Sequence, residues 1–139
     1  MNQQRLIKNK QQYQTVATNF FETLFREALN KKCGDIEIRG FPKQGWQTQR
    51  YFNSPEDAAK IAYDFCEAEM DVYVGINPRI GEAGSKENIH WLTAFHAEID
   101  YGEDGHKQKP EYETYDEALK KIEGFEMKPT YIPHSGSFF

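Results

Sequence analysis

Cysteine, tryptophan, methionine and long apolar runs are all scarce in this chain. Its two cysteines, Cys33 and Cys66, form no Cys-x-x-Cys pair and no zinc-ligand spacing. That pattern leaves out a disulfide scaffold and a zinc ribbon, and it fits free thiols in a reducing compartment. No apolar run approaches the roughly 18 residues of a membrane span. The start, Met1-Asn2-Gln3-Gln4-Arg5, is polar and lacks the apolar centre of a signal peptide. A cytoplasmic protein with no membrane partner is the expectation. Internal repeats are absent. Basic charge is also in deficit, because 17 Lys and Arg stand against 22 Asp and Glu for a net charge of -5. A simple basic coat for nucleic acid is excluded on that count.

Aromatic residues are what the chain has in quantity, at 14% of 139 residues. This length suits one domain that buries about two-thirds of its surface on folding. The charge is uneven. Residues 1–50 hold nine Lys or Arg and four Asp or Glu, whereas residues 51–139 hold eight and eighteen. A basic first part and an acidic remainder suit a protein that meets phosphates in one place and holds a cation in another.

From Tyr13 to Leu29 the apolar residues Ala17, Phe20, Phe21, Leu24, Phe25, Ala28 and Leu29 recur at helical spacing. Lys31, Lys32 and Gly34 mark the end of that helix. Asp35–Arg39 alternates as a strand, and Gln47–Phe52 reads as a second. Ser54-Pro55-Glu56-Asp57 is a helix start, with a capping serine, Pro at the first helical position and an acid three residues on. The helix it opens buries Ala58, Ile61, Ala62, Phe65 and Cys66 and ends near Glu69. Asp71–Ile76 is the next strand, left through Asn77-Pro78-Arg79. Thr114-Tyr115-Asp116-Glu117 has the pattern of a capping box, and the helix after it buries Ala118, Leu119, Ile122 and Phe125. Residues 129–133 form a last extended piece.

Between these elements lies Trp91–Tyr101, in which Phe95, Ala97 and Ile99 alternate with His96, Glu98 and Asp100. A strand here sends the polar three to one face. At about 3.3 Å per residue, Glu98 and Asp100 stand roughly 6.6 Å apart. At an effective dielectric of about 20 their repulsion is roughly 2.5 kcal/mol. Such a pair needs solvent, a proton or a cation between its members. Mg²⁺ or Mn²⁺ takes one or two carboxylates and keeps positions for substrate phosphates. The plain alternative is a strand with a wet polar face. From Gln47 onward the order becomes strand, helix, strand, strand, helix, strand. The predicted fold class is therefore α+β, an RRM-like or ferredoxin-like βαββαβ module with an antiparallel sheet. Residues 47–139 form the module, and residues 1–46 add an N-terminal helix and strand. RNA binding through sheet aromatics does not suit it, because the central strand carries acids where that use needs aromatic and basic residues.

Phe95-His96-Ala97-Glu98-Ile99-Asp100-Tyr101-Gly102, with Gly105-His106-Lys107 after it, resembles a motif of the archaeo-eukaryotic primase superfamily. The resemblance is in particular to the primase-polymerase domains of plasmid, phage and mobile-element replication proteins. Upstream, Val72–Arg79 is similar to the strand and Asn-Pro-Arg turn that precede that motif. Downstream, Lys128–Gly136 is similar to the strand that leads into a second motif. The resemblance covers residues 50–136 and implies template-directed nucleotidyl transfer in DNA replication. On that analogy Glu98 and Asp100 are the catalytic and metal-holding pair, taking Mg²⁺ or Mn²⁺. Arg79, Lys107, Ser135 and Gly136 would meet the nucleotide phosphates. Implied partners are nucleoside triphosphates, a single-stranded DNA template, and a helicase or the part of the domain that follows in relatives. His96, His106 and His134 receive no role.

Two positions depart from the family pattern. Glu98 stands where relatives carry Asp, and the second motif breaks at Ser137-Phe138-Phe139. The third acid of relatives belongs to the part beyond. The expectation is thus a fragment, a truncated or decayed copy, or a partner-completed subunit, weak or inactive as the chain stands. The alternative function is a non-catalytic protein that keeps the fold to bind nucleotide or nucleic acid.

Overall fold

A computed structural model describes residues 10–102 and 110–132. The chain separates into two compact units, Met1–Phe95 and His96–Phe139.

In the first unit, α1 (Lys10–Asn30) turns Phe21, Phe25 and Ala28 inward. The i, i+4 spacing of the two phenylalanines puts them one above the other on a single face. The helix stops at Lys32, whose φ of 55° is left-handed. There the N–H of Cys33 reaches Ala28 O at 2.8 Å and that of Lys32 reaches Leu29 O at 3.0 Å, a Schellman cap. The second helix, α2 (Pro55–Glu67), starts as its sequence dictates, with Ser54 Oγ accepting from the Asp57 N–H at 3.2 Å. It ends on the same motif with Glu69 in the left-handed position, φ 57°.

The sheet has three antiparallel strands in the order β2-β1-β3, with β1 Ile36–Phe41, β2 Thr48–Phe52 and β3 Asp71–Val74. In register, Ile36 faces Phe52, Glu37 faces Tyr51, and Arg39 lies between Gln49 and Tyr73. Alternation along β1 sends Ile36, Ile38 and Gly40 to one face and Glu37, Arg39 and Phe41 to the other. The first face meets the helices. Phe21, Phe25, Ile36, Ile38, Ala58, Ala59 and Ala62 form the buried core, with Val72, Val74 and Phe65 packed around it. Gly40 permits this closeness, since a Cβ there would lie 2.8 Å from the Phe65 ring and 2.9 Å from the Met70 sulfur.

In the second unit, α3 (Tyr115–Glu123) begins with the full capping box read from the sequence. Thr114 Oγ1 accepts from the Glu117 N–H, and the Glu117 carboxylate accepts from the Thr114 N–H. Tyr101 and Tyr112 form a single parallel bridge, and the Tyr101 ring stands edge-on to Tyr115 with centroids 5.7 Å apart. Of the four apolar residues expected to be inward on this helix, Ala118 is buried, Leu119 and Ile122 are half-buried, and Phe125 is exposed.

The α+β class, the antiparallel sheet and the N-terminal helix stand. Three expectations do not. Residues 1–46 are not an extension beside a separate sheet, because β1 is the sheet's central strand. Nor does Trp91–Tyr101 form a fourth strand. Residues 91–100 carry no strand pairing, and Phe95 is 97% exposed. Before it, Thr93 is tied to the end of β3 by its hydroxyl, which donates to Ile76 O at 2.6 Å, rather than by a ladder. Residues 129–132 likewise carry no strand pairing. Among the described residues, no helix is long and apolar enough to cross a membrane.

Candidate functional site

The sheet face turned away from the helices carries Glu37, Arg39, Gln49, Tyr51 and Tyr73 by register. Glu37 has no exposed surface, because the chain from Arg79 to Ser85 folds over it. Arg39 donates to Glu37 Oε1 from Nε, and its Nη2 lies 2.9 Å from the same oxygen. Arg79 Nε donates to Oε2 at 3.0 Å. Each arginine is then anchored to the covering loop, Arg39 to Gly84 O at 3.2 Å and Arg79 to Ser85 O at 3.1 Å.

The backbone around this cluster is made to fit it. Arg79 and Asp35 exchange both backbone hydrogen bonds, at 2.8 and 2.9 Å, so the turn after β3 is stitched to the start of β1. Gly34 allows that stitch, with φ of 128° and no room for a Cβ, which would lie 2.6 Å from Arg79 O. A Cβ on Gly84 would lie 2.5 Å from Arg39 Nη2 and 2.6 Å from Glu37 Oε1, and one on Gly75 would lie 2.9 Å from Glu37 Oε2. Glycines therefore close the cage on two sides. Tyr51 Oη lies 3.4 Å from both Glu37 Oε1 and Gln49 Oε1. Burial, reinforced by the Glu37 carboxylate, pushes its phenol pKa above the ordinary tyrosine value.

No family model, curated protein or solved structure matches this chain.

Of the residues singled out from the sequence, Arg79 lies in the first unit and its guanidinium belongs to the Glu37 cluster. Glu98 and Asp100 lie in the second, both exposed, as is His96. Lys107, Ser135 and Gly136 lie outside the described residues, together with His106 and His134. No group of three or more His, Cys, Asp or Glu side chains gathers among the described residues in a way that could hold a metal. Two exposed carboxylates two residues apart have the donor chemistry for one hard ion that completes its shell with water and phosphate oxygens. They do not amount to a two-ion centre.

Sequence reading did not single out Glu37 or Arg39. Their i, i+2 spacing on one strand was the available signal, since it places an acid and a base on the same face. What it could not supply was the loop that buries them.

Proposed function

We propose that this chain is a nucleotide-handling module of the primase-polymerase type, working in DNA replication in the cytoplasm. The observation that carries the reading is the Val72–Arg79 landmark. The resemblance calls for a strand followed by an Asn-Pro-Arg turn, and β3 runs into a turn whose arginine is held rigidly by a buried carboxylate. The phosphates of a nucleoside triphosphate are the natural ligand of a guanidinium oriented in this way. Glu98 and Asp100 would hold Mg²⁺ or Mn²⁺, which when bound supplies charge neutralisation at phosphate oxygens. Arg79 orients the phosphates, and Lys107, Ser135 and Gly136 are further phosphate contacts on the same reading. A single-stranded DNA template is the second substrate, and a helicase is a fitting partner.

A second reading is a non-catalytic nucleotide- or nucleic-acid-binding protein. The absence of a third ligand beside Glu98 and Asp100 among the described residues favours it. Calorimetric titration of Mn²⁺ and a nucleoside triphosphate separates the two. The first reading expects nucleotide binding that requires the metal and is lost in Asp100→Asn. Binding that ignores the metal and the mutation favours the second, and no binding at all removes both.

A further inference from the structure

The buried cluster of the first unit sets two guanidinium groups against one carboxylate, and a whole positive charge is left over. Glu37 is fully buried, while the side chains of Arg39 and Arg79 are 28% and 12% exposed. One arginine would balance the acid. A second, mostly withdrawn from water, carries a desolvation cost that the carboxylate does not offset. We propose that Arg39 and Arg79 form an anion subsite for phosphate oxygens, with Glu37 as the positioning residue that fixes both guanidinium planes. This inference extends the nucleotide reading above and rests on it for the molecule that carries the phosphate.

The hydrogen-bond inventory points the same way. A guanidinium has five N–H donors. Arg39 uses Nε and Nη2 on Glu37 and Gly84, and Arg79 uses Nε and Nη1 on Glu37 and Ser85. Arg39 Nη1 and Arg79 Nη2 take part in none of these bonds. Both are held by groups that cannot swing away, since a backbone carbonyl and a caged carboxylate grip each arginine. Preorganised planar donors of this kind favour the tetrahedral, multiply charged phosphate group. The greater exposure of Arg39 makes its side the entrance. Gln49, its register partner on β2, stands at that side with an amide to offer.

The test uses the full chain in a chelator, with inorganic tripolyphosphate titrated by calorimetry. Saturable binding is expected without any divalent ion. Arg39→Gln should weaken it about tenfold or more, the loss of a charge-assisted contact. Arg26→Gln, at an exposed position on α1, should bind as wild type does. No binding to wild type, or equal binding to Arg39→Gln, overturns the proposal. Metal-free tripolyphosphate binding alongside a failure of metal-dependent nucleotide binding would leave the subsite standing and remove the primase-type reading. A measurement on the unmutated chain guards against a misfolded variant. Tripolyphosphate should slow phenylglyoxal modification of Arg39 while the exposed Arg26 and Arg50 react at unchanged rates, and equal rates at all three would also overturn the proposal. Displacement of the tripolyphosphate by ATP supports a nucleotide as the carrier, and displacement by oligothymidylate supports a nucleic-acid backbone.

Discussion

Glu37 contributes to stability through what its removal would leave behind. Its two carboxylate oxygens are matched by two guanidinium groups, and a neutral residue in its place would leave both arginines facing each other around a caged position. Breaking a buried pair from one side costs about 3–5 kcal/mol. Glu37→Gln is therefore expected to lower the unfolding free energy by that order, read as a lower urea midpoint with little change in slope. Arg50→Gln, at an exposed position on the sheet edge, should leave the midpoint almost unchanged. The sequence makes Glu37 and Arg39 visible as an acid and a base on one face of a strand. Their burial is invisible there, because the partner that closes over Glu37 lies 42 residues further along the chain. Arg79 was legible for a different reason, the Asn-Pro-Arg turn, and nothing local announced the carboxylate that holds it.

At the scale of elements, what depends on near neighbours was readable. The caps of α2 and α3 are local chemistry, and β1, β2 and β3 fall within one or two residues of the alternating stretches that mark them. What depends on a distant partner was not. Alternation in Trp91–Tyr101 states that the segment could line a sheet, but a strand exists only where another offers a free ladder and a surface to cover. The same limit hid the central place of β1. Helix ends bring a further consequence. Both α1 and α2 close with a non-glycine residue at positive φ, Lys32 at 55° and Glu69 at 57°. That conformation costs an L-residue about 1–2 kcal/mol, and glycine adopts it freely. Lys32→Gly and Glu69→Gly should each raise the thermal midpoint by a few degrees in calorimetry. The pair that Glu69 makes with Lys43, 3.4 Å apart and mostly exposed, offers little resistance to the change.

For the molecule as a whole, alkaline pH is the exposed flank. Tyr13 on α1 and Cys66 on α2 meet with oxygen and sulfur 3.7 Å apart at the contact between the two helices. Burial first, and then the nearby thiol, pushes the Tyr13 phenol well above its ordinary value of 10.0. Burial likewise raises the Cys66 thiol above 9.0. The folded state keeps protons here that the unfolded chain gives up. Their contribution to stability is complete below the unfolded values and declines as pH climbs above about 9 to 10. Circular dichroism through an alkaline titration should show stability falling in that range. Tyr13→Phe should shift the transition to higher pH, and an unshifted transition would show that the α1–α2 contact does not control it.

The two tryptophans occupy unlike settings. Trp46 stands 93% exposed on the turn between β1 and β2, while Trp91 is half-buried with the Lys31 ammonium 4.9 Å from its ring. Intrinsic fluorescence from the folded chain thus mixes one emitter already bathed in water with one beside a cation at the end of α1. Unfolding leaves the first almost where it was, so the optical signal of folding in this protein belongs to Trp91.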